Sequence, residues 1–209
     1  MMRIAFLAGV PLAWAALLLF HPTGDTDEFF PVVSDNVAAW QTVHIGTMVF
    51  VPLMAGVLYV LVNGIHGTAA RVSRVALAPF AVFYAAYEVL TGIGTGMLVN
   101  EVNALPAAQR ATGEELVESY AGSALIANPG IFNVIGSAAW LVAAVAAGVA
   151  LVRQGRAPVA VPVLLGLSAP LIAIHVTPFG PVGLVLFSVA VGLCLRRASA
   201  PLRTAPAPA

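Results

Sequence analysis

The sequence contains no lysine, little charge and almost no cysteine. Only 9% of its 209 residues are charged, so an ordinary soluble domain is excluded. A single cysteine, Cys194, excludes both an internal disulfide framework and a metal cluster held by cysteines. What the chain has instead is apolar, with 60% hydrophobic residues and a mean hydropathy of +0.97. This composition predicts an all-α, polytopic integral membrane protein.

Motifs that would name a reaction are also missing. The chain has no P-loop, no GxGxxG in a strand–turn–helix context, no GxSxG, and no basic patch of the size that nucleic acid requires. It has no internal repeat, which disfavours an inverted-repeat transporter. The expected partners are therefore the lipid bilayer and a small-molecule or lipid ligand, and not nucleic acid.

Six apolar segments predict transmembrane helices, because about 20 residues cross the hydrocarbon core of a bilayer. They cover residues 4–20, 36–62, 75–98, 130–152, 158–176 and 180–195. In the long connection 99–129, the capping-box spacing of Thr112 and Glu115 and a helical apolar period predict a short amphipathic helix on the outer surface. We expect this helix to cover apolar surface rather than to act as a lid. Residues 198–209 are expected to form a disordered tail.

The distribution of charge predicts the orientation of these helices. Eight of the nine arginines fall on the side of the N-terminus, Arg110 being the exception, whereas every acid except Glu88 falls on the other side. Because basic residues accumulate in cytoplasmic loops, both termini are predicted to be cytoplasmic. Arginine as the sole basic residue type, with abundant Ala and Val, indicates a GC-rich bacterial genome, so we expect a bacterial plasma membrane.

Glu88 lies within the third apolar segment, where an ionised carboxylate costs at least about 2.5 kcal/mol. Such a group usually faces the interior of a bundle and marks a functional pathway. Tyr84, Thr91 and Thr95 share its face at helical spacing. A weaker polar face occurs on the fourth segment, so six side chains are predicted to line a pocket with Glu88: Tyr84, Thr91, Thr95, Asn133, Ser137 and Trp140.

Three histidines, His21, His44 and His175, fall at one predicted depth near the outer ends of their segments, whereas His66 lies in a cytoplasmic loop. With the acids of the adjoining loop, Asp25, Asp27 and Glu28, they are residue types that bind a metal ion. Two imidazoles from separate helices could instead hold a haem iron. No paired spacing such as HxxxH or HExxH supports either hypothesis.

Helix geometry limits the contact between His44 and Glu88. His44 lies about 6 Å below Trp40, which is expected in an interfacial aromatic belt, whereas about 15 Å separates Glu88 from the outer end of its helix. We therefore expect no direct contact, but a water-filled vestibule with His44 and His175 at its mouth and Glu88 at its floor.

Three hypotheses about function follow. The first is a small membrane enzyme or redox protein that uses Glu88, His44 and His175 as catalytic residues, with a metal ion or haem at His21, His44 and His175, on a small or lipid-soluble substrate. The second is a proton-coupled transporter or channel that depends on Glu88. The third is an accessory membrane subunit whose polar residues only fix helix packing. We place the enzyme slightly ahead of the transporter because the chain is short and lacks a repeat.

Overall fold

The structure is a computed structural model that describes residues 2–24 and 29–198. Within these residues the chain is helical and contains no strand, which confirms the predicted all-α class. The helices are α1 (Met2–Leu18), α2 (Phe29–Ser34), α3 (Val37–Val62), α4 (Thr68–Asn103), α5 (Ala107–Ala121), α6 (Ile131–Arg153), α7 (Ala160–Ile174) and α8 (Phe179–Ala198). The predicted tail beyond Ala198, and the acids Asp25, Asp27 and Glu28, lie outside the described residues.

Four of these helices are long and apolar enough to cross a membrane: α3, α4, α6 and α8. Helices α1 and α7 are also apolar but shorter, at 17 and 15 residues. Each of the six predicted segments thus falls on a helix, and the architecture fits a membrane-embedded helical bundle.

One end of the bundle is basic. The Arg3 guanidinium donates a hydrogen bond to the Val60 carbonyl (3.2 Å), which brings the start of α1 level with the end of α3. Arg197 donates to the Gly155 carbonyl (3.2 Å), which joins the end of α8 to the turn after α6. We name this the arginine end, and it carries Arg3, Arg71, Arg74, Arg153, Arg156, Arg196 and Arg197.

The opposite end carries the three histidines, and we name it the histidine end. There the Thr177 hydroxyl donates to the Leu18 carbonyl (2.8 Å), so the turn between α7 and α8 is held against the end of α1. Helix α1 is nine residues shorter than α3, 17 against 26, which is about 14 Å at about 1.5 Å per residue. Because the two helices are level at the arginine end, α1 stops well below the start of α3 at the histidine end.

Helix α4 runs without a break from Thr68 to Asn103, well beyond the predicted range of 75–98. It includes two π-helical turns, Phe80–Tyr84 and Glu88–Gly94. The first follows Pro79, which lacks an N–H and therefore disturbs regular α-helical bonding. The second begins at Glu88. Wide turns of this kind are uncommon and occur frequently at functional sites.

The predicted amphipathic helix exists as α5, but its start differs from the prediction. It begins directly after Pro106, so Thr112 and Glu115 lie inside the helix and do not cap it. Its buried face consists of Gly113 and Val117, whereas Leu116 is 67% exposed. The earlier start follows from Pro106, whose restricted φ suits the beginning of a helix.

The middle of the bundle is filled with large apolar side chains. Fully buried residues there include Trp14, Met54, Leu58, Phe80, Trp140 and Phe187. This packed layer separates the histidine end from the arginine end.

Candidate functional site

The three histidines converge at the histidine end. One nitrogen from each of His21, His44 and His175 lies within 4.8 Å of the other two. The ring centroids are 5.1 to 5.7 Å apart, and all three side chains are buried. Three separate parts of the chain, the loop after α1, helix α3 and the end of α7, therefore supply one cluster.

Backbone hydrogen bonds orient two of the three rings. Nδ1 of His44 lies 2.8 Å from the Trp40 carbonyl, and Nδ1 of His21 lies 2.8 Å from the Pro22 carbonyl. A carbonyl can only accept, so each Nδ1 carries the proton and each Nε2 carries a lone pair. Nε2 of His21 is buried and has no partner among the described residues. Histidines that bind metals typically have this arrangement, with one nitrogen bonded to a carbonyl and the other free.

His175 is positioned by an unusual backbone conformation. It follows the last residue of α7 with φ of 43°, in the left-handed region that few residues other than glycine adopt. The Tyr84 hydroxyl donates to the Ile172 carbonyl (3.2 Å) and lies 3.5 Å from Nδ1 of His175. A Cβ added at Gly180 would overlap the His175 backbone, so the turn requires glycine there. Strained residues of this kind cluster at functional sites.

Helix α4 approaches α3 closely enough to hold the His44 ring. A Cβ on Gly92 would overlap that ring, and a Cβ on Gly96 would come within 2.7 Å of the Gln41 side chain. The Trp40 indole N–H donates to the Gly92 carbonyl (2.8 Å) at the same crossing. The close approach at Gly92 and Gly96 serves packing within this chain.

Glu88 lies beside the histidine cluster, contrary to the predicted separation. Its Oε2 is 4.0 Å from Nε2 of His44, the side chain is fully buried, and neither carboxyl oxygen has a hydrogen-bond partner among the described residues. The vestibule with Glu88 at its floor was wrong because it assumed that α3 and α4 end at one level. Helix α4 extends to Asn103, so the residues that follow Glu88 do not measure its depth.

The cluster opens into a cavity of about 490 Å³. His21, His44 and His175 line it together with Trp40, Tyr87 and Thr91. Apolar side chains, among them Phe29, Val32 and Val176, contribute further wall. A volume of this size matches the binding pockets of small molecules, which are typically about 300–1,000 Å³.

Helix α5 and the residues after it cover the cavity. Glu118, at the end of α5, lines the cavity and accepts a hydrogen bond from the backbone N–H of Phe30. The Tyr120 hydroxyl donates to the Leu90 carbonyl (3.0 Å) in the second π-helical turn. Burial raises the pKa of Tyr120, so the phenol keeps the proton that it donates. Helix α5 therefore covers the polar cavity itself, and not merely an apolar surface.

The predicted pocket-lining residues occupy different places. Thr91 lines the cavity and donates to the Ile126 carbonyl (2.7 Å). Tyr84 does not line the cavity, but its hydroxyl contacts the His175 ring. Trp140 packs in the core, with ring centroids 4.5 Å from Phe80 and 5.7 Å from Phe187. The remaining three do not line this cavity, although each has a buried polar atom without a partner among the described residues: Thr95, Asn133 and Ser137.

Asn133 nevertheless lies at the level of Glu88. Helices α4 and α6 are antiparallel, and Phe80 contacts Trp140 while Gly136 packs on the backbone of Tyr84. One further turn along both helices brings Glu88 opposite Asn133.

The sequence analysis did not predict two residues of the site, Trp40 and Tyr87. Trp40, predicted at the membrane interface, is 5% exposed and packs against both His44 (4.3 Å between centroids, tilted) and His21 (5.2 Å, edge to face). Tyr87 lines the cavity next to Glu88 in the sequence. The signal for Trp40 was its position one helical turn before His44, which places both residues on one face of α3.

The arrangement suits a metal ion better than a haem. Zinc–nitrogen bonds of about 2.0–2.1 Å place tetrahedral ligands about 3.3–3.4 Å apart, so small side-chain movements would bring the three nitrogens into range. A haem held by two imidazoles needs a flat macrocycle between them. The three rings pack edge to face against one another and leave no gap of that shape.

Comparison with known proteins adds no further constraint on this site: the chain matches no family model, no curated protein and no solved structure.

Proposed function

We propose that this protein is a membrane metalloenzyme in which His21, His44 and His175 hold a divalent metal ion. One observation carries the proposal: three imidazoles from distant parts of the chain converge to within 4.8 Å in a cavity, beside a buried carboxylate. With three protein ligands, a bound divalent ion would remain open to water or substrate, as in catalytic and not structural zinc sites.

Glu88 is proposed as the proton acceptor of the site. A divalent ion bound by three histidines lowers the pKa of a coordinated water to about 7. Glu88 lies next to His44 and its carboxyl oxygens have no hydrogen-bond partner among the described residues, so with a metal ion bound it would be the group placed to accept a proton and return it to a leaving group. Hydrolysis is the reaction class that these parts support.

The proposed substrate is small or lipid-soluble. Aromatic and aliphatic side chains, including Phe29, Val32 and Trp40, form much of the cavity wall beside the histidines. Transport is less well supported, because the packed layer around Phe80 and Trp140 lies between the two ends of the bundle.

We also propose that all six apolar helices span a bacterial plasma membrane with both termini in the cytoplasm. Alternation of helix direction and the clustering of arginines at one end support this orientation under the positive-inside rule. The histidine end would then face outward.

Metal content of the purified protein tests the proposed ligands. We expect about one zinc or other divalent ion per chain, and loss of at least about 90% of it on substitution of His21, His44 or His175 by alanine. His66→Ala is the matched control, because His66 is exposed at the arginine end and should leave metal content unchanged. An absence of stoichiometric metal in the wild type would instead favour the accessory-subunit hypothesis.

Glu88→Gln separates a proton acceptor from a metal ligand. As a proton acceptor, Glu88 can be replaced with metal content retained, and the visible spectrum of the cobalt-substituted protein should titrate at a different pH. Loss of metal equal to that in His44→Ala would instead make Glu88 a ligand.

A further inference from the structure

The arginine end contains a second cavity, of about 450 Å³. Its apolar wall comes from four helices, with Ile4 and Leu7 from α1, Leu61 from α3, Leu151 from α6, and Cys194 and Leu195 from α8. Arg3 and Arg156 are its charged lining residues. The cavity thus combines an apolar interior with two guanidinium groups.

The two arginines are placed to bind an anion. One terminal nitrogen of Arg3 is fixed by its hydrogen bond to the Val60 carbonyl, which holds the guanidinium at the cavity. Arg156 follows the last turn of α6, and its side chain is exposed. Guanidinium groups bind phosphate oxygens through paired N–H donors.

The surrounding charge favours the same ligand. The cavity lies at the end of the bundle that carries seven arginines. The described acids other than Glu88 lie in segments at the opposite, histidine end. No described carboxylate therefore competes for Arg3 and Arg156 as an ion-pair partner. A ligand that matches the site is anionic at one end and apolar at the other.

We propose that this cavity binds an anionic phospholipid, with its phosphate at Arg3 and Arg156 and part of an acyl chain against Leu7, Leu61 and Leu151. Basic pockets between transmembrane helices bind anionic headgroups in this manner. The proposal is independent of the metal site, because no residue of the histidine cluster lines this cavity.

Native mass spectrometry from a neutral detergent tests the proposal, with phosphatidylglycerol and phosphatidylcholine titrated separately. We expect one phosphatidylglycerol to bind at least about fivefold more tightly than phosphatidylcholine, since one favourable charge near a membrane surface contributes about that factor. The double variant R3Q/R156Q should lose this preference. Equal binding of the two lipids by the wild type would refute the proposal without reference to any variant.

A matched double variant separates a pocket from general surface charge. R71Q/R153Q removes the same charge from the same end, at two exposed residues that do not line the cavity, and should keep the preference. An equal loss of preference in both double variants would overturn the proposal. So would competition by inorganic phosphate as strong as that by the lipid, because the apolar cavity would then contribute nothing.

Discussion

The two ends of the bundle hold cavities of similar volume, about 490 and about 450 Å³, but they are built differently. Regular helices with apolar side chains enclose the cavity at the arginine end. At the histidine end, two of the three histidines come from irregular backbone, because His21 lies in a loop and His175 has a left-handed backbone conformation. A π-helical turn of α4 faces His44.

This difference shows what each kind of site requires of the backbone. An apolar cavity needs only helices that diverge slightly, because its contacts have no direction. Imidazole and carboxylate groups must meet at set distances and angles, and here irregular backbone contributes to that arrangement. Substitutions at the histidine end should therefore cost more than matched substitutions elsewhere.

The largest effect is expected from Gly92→Ala. The added methyl group would overlap the His44 ring, so either the ring or α4 must move. Overpacking of this kind lowers the free energy of unfolding by about 1–3 kcal/mol, and displacement of His44 should also remove most of the metal. Thermal unfolding in detergent and metal analysis measure the two effects.

Two other glycines provide the control for Gly92. Gly9 and Gly192 lie in α1 and α8, and a Cβ at either meets no atom within 4 Å. Alanine there should leave metal content unchanged and stabilise the helix by about 0.5–1 kcal/mol. Similar destabilisation in all three variants would mean that Gly92 has no special packing role.

A smaller loss of stability is expected when two buried tryptophans, Trp40 and Trp140, are compared. Trp40→Phe removes the hydrogen bond to the Gly92 carbonyl, whereas the indole N–H of Trp140 has no partner among the described residues. Both substitutions remove the same volume, so Trp40→Phe should cost about 1–2 kcal/mol more than Trp140→Phe. The difference between their unfolding midpoints measures this, and equal midpoints would contradict the assigned bond.

The smallest effect is expected at the cover of the cavity. Tyr120→Phe removes the hydrogen bond to the Leu90 carbonyl, which should weaken the attachment of α5 by about 0.5–1.5 kcal/mol. Amide hydrogen exchange should then accelerate about two- to tenfold within residues 107–121 and not in α6. Tyr59→Phe is the control because Tyr59 is 50% exposed on α3, and faster exchange there too would argue against a specific attachment.

The helices were largely predictable, because long apolar segments bounded by Pro, Gly and charged residues have few other structures in a membrane. The convergence of the three histidines was less predictable. The sequence placed them at one depth in the membrane, but it did not indicate whether their side chains face one another across the bundle. The separation of His44 and Glu88 was predicted wrongly, because depth was counted from helix ends and α4 extends to Asn103.

The two π-helical turns were beyond sequence reasoning for a different reason. Helical phase is read from the contrast between apolar and polar positions, and the segment around Phe80–Tyr84 has almost no such contrast. The start of α5 was misplaced because the prediction rested on the capping-box spacing of Thr112 and Glu115 and did not consider Pro106. Trp40 was misassigned because buried and interfacial tryptophans look alike in a sequence.

The shortness of α1 has a consequence for solvent. Its 17 residues stop roughly 14 Å short of the top of α3, so non-helical backbone at residues 21–24 lies below the rim of the bundle. Peptide groups at such a depth are tolerated only when protein or water satisfies them. Protein supplies part of this, because the His21 N–H donates to the Leu18 carbonyl and the Pro22 carbonyl accepts from the His21 ring. The His21 side chain therefore has a second task besides its place in the cluster, which is to satisfy a peptide group that α1 is too short to include.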